Sequence, residues 1–233
     1  MKWAFIEDYI VCKFYLSNVE SWREQIDEVM MNLKQNDYGN REKGSVKMRI
    51  QNFEALHADG RLSNVAAQSK NIYNVLITKV CNPNLCNELQ TYINENYICA
   101  DTKVSSFSAL SDDAHSFIAL EPLGPSFQEV LFEMIDSRGM KDSEVYNRSY
   151  VRKDTFSLIR SGKRVASKKT IKQLCFGLKL SYDEAVKLMA SAGYAFSNNN
   201  LSDVIVAYFL KNKIFDIFAA NIELYEHHTE LLF

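Results

Sequence analysis

The stretch YVRKDTFSLIRSGKRVASKKT, Tyr150 to Thr170, gathers positive charge in a chain that is slightly acidic overall. Between Lys141 and Lys172, ten Lys and Arg stand against three Asp and Glu, a local charge of +7 in a chain whose formal net charge is −2. Everything outside that window therefore sums to −9. Such segregation fits either a solvated helical face or a footprint for a polyanion. The order of residues around the stretch helps to separate the two.

Its surroundings are punctuated as short helices. After Pro125, Ser126-Phe127-Gln128-Glu129 is a capping box, and Leu131 and Ile135 give the helix that follows an apolar stripe. Arg138-Gly139 closes it. Asp142 is placed to cap a second helix through Arg148, a turn at Ser149 and Tyr150 follows, and a third helix runs from about Arg152 to Arg160 until Gly162 stops it. Ser167 caps a fourth, which buries Ile171, Leu174 and Leu178. The box Ser181-Tyr182-Asp183-Glu184 starts a fifth, running to about Ala192 before Gly193. Five short helices with a tight turn between the second and third is the layout of a helix-turn-helix domain.

The string from Ser149 to Arg164, followed by Ser167-Lys168-Lys169-Thr170, Leu174 and LKLSYDEA at Leu178–Ala185, resembles the lambda repressor-like helix-turn-helix family. The similarity covers about residues 126–195. The shared pattern is a turn, a Thr-apolar-Ser-x-Ile recognition helix, Gly-Lys-Arg, and an L-x-L-S-x-D-E-A junction. It implies that Lys153, Asp154, Ser157 and Leu158 face base edges. Arg152, Thr155, Lys163, Arg164, Lys168 and Lys169 would hold phosphates beside them, which supplies affinity and register while the inserted helix reads bases. Many family members carry an acid where this chain has Arg160, an acid that pins the helix to its neighbours. Arg160 adds positive charge and departs from that arrangement. Asp154 either caps the recognition helix or accepts from a cytosine amino group.

The segment from Leu188 to His228 looks like the tail of a bacterial helix-turn-helix subgroup with added C-terminal helices, whose members sometimes stand fused to other domains, including ones in stress or defence contexts. Val204, Ile205, Tyr208 and Phe209, then Ile214, Phe215, Ile217 and Phe218, repeat at helical spacing. They read mostly as core, with enough aromatic surface for a homodimer interface spanning two half-sites. His227 and His228 beside Glu226 and Glu230 read as a frayed acidic tail rather than a metal site.

Residues 1–76 read as a small helical bundle. Glu7 to Leu16 is one helix. The box Ser21-Trp22-Arg23-Glu24 is expected to start a second, running to Gln35 with Trp22, Ile26, Val29 and Leu33 on one stripe. Arg41 to His57 is a third, with Ser45 as N-cap and Val46, Ile50 and Phe53 inward. Its outward Lys47, Gln51 and Asn52, behind Arg41 and Lys43, form a second candidate DNA surface in a tri-helical module. The alternative is an ordinary amphipathic helix with a wet face. These residues bear a fainter similarity to N-terminal modules of restriction-type proteins. Residues 77–125 read as a linker holding one helix, Asn84 to Tyr97, with Asp112, Asp113 and His115 as a solvated polar cluster rather than a metal or acid–base site.

Composition agrees with a folded, mostly helical chain: 47% apolar residues, 12% aromatic, three Pro and eight Gly in 233 residues. No apolar run reaches membrane-spanning length, and the N-terminus MKWAFIEDYIV carries acids inside its apolar stretch, so neither a membrane segment nor a signal peptide is expected. Five scattered cysteines without a C-x-x-C suit reduced thiols in a cytosol. No phosphate loop, dinucleotide fingerprint, zinc-protease or nucleophile-elbow motif is present.

The expectation is an all-α protein: an N-terminal bundle (1–76), a linker (77–125) and a helix-turn-helix domain with extra helices (126–233). It would be a cytoplasmic, non-enzymatic, cofactor-free bacterial or phage transcriptional regulator that binds double-stranded DNA. The alternative is a protein-interaction factor, antitoxin-like or an anti-defence inhibitor, using the same basic surface on a protein partner.

Overall fold

The computed structural model describes residues 3–58, 65–81, 84–98 and 124–233. Among these it contains twelve α-helices and no strand, so the chain is all-α. It divides into two compact units, 1–88 and 89–233.

In the first unit α1 (Phe5–Ser17) is the central helix, packed on α2 (Ile26–Gln35), α3 (Lys43–Ala58) and α4 (Ala67–Cys81). Most of α1 is buried, its Glu7 and Asp8 included. The inward face of α3 is Val46, Ile50 and Phe53, as its spacing predicts. Two expected caps are not used. Ser21 accepts a turn bond from the Glu24 amide through its backbone carbonyl (3.0 Å), and α2 begins only at Ile26. Trp22 explains the delay: its ring is fully buried beneath the Arg23 guanidinium, with Nε1 donating to Glu54 Oε1 at 3.4 Å. Burial of the large ring outweighs a local capping preference. Ser45 lies inside the first turn of α3, where the Glu42 carbonyl takes the Ser45 and Val46 amides.

The first bundle has a fourth helix, α4, running past residue 76 and burying Ile72, Tyr73, Val75 and Leu76. The stretch read as linker is partly packed. Within α5 (Asn84–Asn96), Leu89 and Ile93 are buried. Tyr92 lies 5.3 Å from the Tyr208 ring, and the Ile98 amide donates to the Asn198 carbonyl at 2.9 Å, so residues 89–98 belong to the second unit. Asp112, Asp113 and His115 lie outside the described residues.

The second unit continues with α6 (Phe127–Asp136), α7 (Asp142–Arg148), α8 (Lys153–Arg160), α9 (Lys168–Gly177), α10 (Tyr182–Ser191), α11 (Leu201–Lys211) and α12 (Ile217–Glu226). The capping boxes at Ser126 and Ser181 both form, and Ser167 Oγ accepts the Thr170 amide. Asp142 is the first residue of α7 rather than its cap, which is Lys141. Every residue of α11 from Ser202 to Leu210 is buried, and α12 buries Ile217, Phe218, Ile222 and Leu224. Of the aromatic side chains expected at a homodimer interface, Tyr208, Phe209 and Phe218 are thus in this unit's own core, while Phe215 is half-buried. Buried from Ser202 to Leu210, α11 itself presents no free face.

Candidate nucleic-acid interface

Helix α8 is held from beneath by Phe156 and Ile159, both buried, with the Phe156 ring 6.0 Å from that of Tyr146 on α7. Its opposite face presents Lys153, Asp154, Ser157 and Leu158 to solvent, while Thr155 is half-buried at the side. After the left-handed Gly162 (φ +69°), the Arg164 amide donates to the Leu158 carbonyl at 3.1 Å. The loop carrying Lys163 and Arg164 is thus folded back onto the end of α8.

The turn between α7 and α8 has an unusual occupant. Tyr150 adopts φ +55°, a left-handed conformation that costs a residue with a Cβ about 1–2 kcal/mol. Its ring stacks on Phe233 at 4.7 Å and meets Phe218 edge-on at 5.1 Å, and its carbonyl accepts from Gln173 Nε2 at 3.3 Å. The C-terminal helices therefore brace the turn.

Ion pairing sorts the ten cations of the basic window. Arg148 pairs with Glu144 one turn away, at 2.6 Å. Arg160 pairs with Asp142 on α7 and lies over the Phe132 ring of α6. It ties α8 to α7 and α6. Lys168 and Lys172 both close on the fully buried Asp203 of α11, Lys172 at 2.5 Å, and Lys169 faces Glu230 at 3.7 Å. Burial pushes the Lys172 ammonium below its ordinary range, against the pull of Asp203. Lys168 is thus held against a buried acid, while Lys169 and Arg160 form partly exposed ion pairs within the unit, so the contacts with DNA expected of these three would compete with pairs in the fold. Lys141, Arg152, Lys153, Lys163 and Arg164 are exposed and form no ion pair among the described residues. Asp154 is likewise exposed and unpaired. Asp142 and Glu144 in the first turn of α7 favour that helix's dipole, and each pairs with an arginine of the unit, Arg160 and Arg148.

The second candidate surface is less free than its sequence suggests. Arg41 makes two bonds to the Glu7 carboxylate, at 2.6 and 2.7 Å, with both side chains buried. It also lies 4.6 Å from the Trp3 ring, with Arg49 at the same distance. Lys43 pairs with Asp27 at 2.5 Å. Lys47 and Gln51 are exposed and Asn52 half-buried, without a basic entry beside them. Arg41 is a structural ion-pair partner. Its signal in the sequence was Glu7, which lies 34 residues away and so has no local pattern to mark it.

Cys12 and Cys175 are buried, and desolvation pushes both thiols up, Cys175 to about 12, which leaves them poor nucleophiles. Among the described residues no group of three His, Cys, Asp or Glu side chains could hold a metal, and no helix is long and apolar enough to cross a membrane. Compared with known proteins, the chain matches no family model, no curated protein and no solved structure. The chemistry of the basic surface has to be read from its own residues.

Proposed function

We propose that the second unit binds double-stranded DNA with α8 in the major groove, as a cytoplasmic, non-catalytic transcriptional regulator of bacterial or phage type. The observation that carries the reading is the segregation of cations. Arg160, Lys168 and Lys169 pair with acids of the same unit, whereas Arg152, Lys153, Lys163 and Arg164, with Lys141 at the cap of α7, are exposed and form no ion pair among the described residues. A merely solvated face gains nothing from keeping like charges together, while a polyanion is attracted by that arrangement. Lys153, expected among the base-reading residues, stands beside Arg152 at the start of α8 and would contact phosphate with it, as Lys163 and Arg164 would in the loop after the helix. Asp154, Ser157 and Leu158 on the outward face would meet base edges. The resemblance to repressor-type domains supports the same assignment.

The test is a fluorescence-anisotropy titration of duplex DNA at low salt. The wild type binds, and the Lys163→Glu/Arg164→Glu double variant loses binding while keeping its helical circular dichroism. Equal binding by both proteins would reject the assignment.

A second reading, docking on an acidic protein partner, is favoured by the apolar exposure within the basic surface: Leu158 is 41% exposed and Val165 78%. Under that reading duplex DNA shows no affinity even at low salt.

A further inference from the structure

Five large apolar side chains are exposed among the described residues of the second unit: Ile98, Tyr150, Leu158, Val165 and Val186. Three of them fall within the basic stretch. Tyr150 is accounted for by its ring contacts with Phe218 and Phe233. Leu158 and Val165 have no such role. Leu158 sits one turn after Asp154 on the outward face of α8, and the Arg164 amide bonded to its carbonyl brings the loop carrying Val165 back toward it. An isolated exposed Leu is ordinary. An exposed Leu at the crest of a short helix flanked by four unpaired cations is placed where a duplex would present base edges.

In the major groove the apolar feature of a base edge is the 5-methyl group of thymine, and the usual partners of that group are small or branched apolar side chains. We infer that Leu158 is a specificity-determining residue that reads thymine methyl groups, an inference that rests on the DNA-binding reading above. Asp154 cannot do this work: its carboxylate accepts a proton donor such as a cytosine amino group and is repelled by the phosphates. Arg152, Lys153, Lys163 and Arg164 would set affinity without sequence preference. The surface thus divides into a charged rim that holds any duplex and a crest that prefers thymine at the position beneath Leu158.

The experiment begins with duplexes enriched by the full-length protein from a random 20-base-pair library. Each enriched duplex is then remade with deoxyuridine in place of thymine, which removes the methyl group and leaves pairing and charge unchanged. The wild type is expected to bind the uracil form about fourfold more weakly for each methyl it contacts. Leu158→Ala binds the two forms equally, and Leu158→Met keeps a preference for thymine. Arg152→Ala weakens both forms in the same proportion. The inference is overturned if the wild type binds both forms alike, or if Leu158→Ala keeps the full thymine preference. A failure of the wild type to bind any duplex at low salt would instead remove the DNA-binding reading, and the inference with it.

Discussion

Gly177 of α9 passes so close to Ser149, the C-cap of α7, that a Cβ on the glycine would fall 1.9 Å from the serine Oγ and 2.8 Å from its backbone nitrogen. The contact locks α9 against the helix that carries the turn into α8, and Ser149 Oγ is itself fixed by its bond to the Val145 carbonyl at 2.7 Å. Because backbone atoms are involved, no side-chain rotation relieves an added methyl. Gly177→Ala is therefore expected to destabilise the second unit by about 2–3 kcal/mol or more, measured by urea denaturation. Ser149→Ala should restore little of the loss, since the serine backbone nitrogen and Cβ remain in the way.

Asp203 is the anchor between α9 and α11. It is fully buried, faces both Lys168 and Lys172, and accepts the Ser197 amide at 2.9 Å. Asp203→Asn leaves two lysines without a counter-charge and should cost about 3–5 kcal/mol. Lys172→Met leaves Asp203 still neutralised by Lys168 and should cost clearly less. Chemical denaturation of both variants checks the order, and equal losses would count against a shared anchor.

The Arg160–Asp142 pair is half-exposed, so it is worth no more than about 1 kcal/mol. Asp142→Arg and Arg160→Asp should each lose stability, and the double exchange should recover part of it in a double-mutant cycle.

In the first unit, burial pushes the Glu7 carboxyl up, but the bonds from Arg41 and from the Ala4 amide outweigh it and leave it below its ordinary value of 4.5. A carboxylate held low in the fold contributes stability above its unfolded value and loses it as pH falls through the folded one. The stability gap between the wild type and Glu7→Gln should be full at pH 7 and shrink on acidification below about 4.5. Asp8 is shifted the other way, upward by desolvation, so the difference between the two proteins, rather than the wild-type curve alone, isolates Glu7. Thermal melts across pH 3–7 provide the measurement.

The legible parts of this chain are those that local chemistry decides. Ser126 and Ser181 cap where the S-x-x-E spacing puts them, and Gly139, Gly162 and Gly193 all take the left-handed conformation after a last turn. Where tertiary burial competes, local signals fail, as at Ser21, whose box is overridden by the buried Trp22. Tyr150 takes a glycine's conformation because distant Phe218 and Phe233 hold its ring, and nothing near it in sequence announces them. Lys168 and Arg41 looked like free cations because their acids, Asp203 and Glu7, lie more than thirty residues away. The consecutive apolar run of Val204 to Leu210 did carry a usable signal, since a helix apolar on every side is a core helix rather than an interface.

Under the proposed function, the basic stretch divides into cations that hold the fold and cations that meet phosphate. The salt dependence of duplex binding tests it most directly, because each phosphate contact adds about 0.9 to the slope of log K against log salt. Arg152→Ala, Lys153→Ala, Lys163→Ala and Arg164→Ala should each lower the magnitude of the wild-type slope by about one unit. Lys169→Ala and Arg160→Ala should leave it unchanged. A slope that falls equally for all six variants, or that is flat in the wild type, would contradict the division.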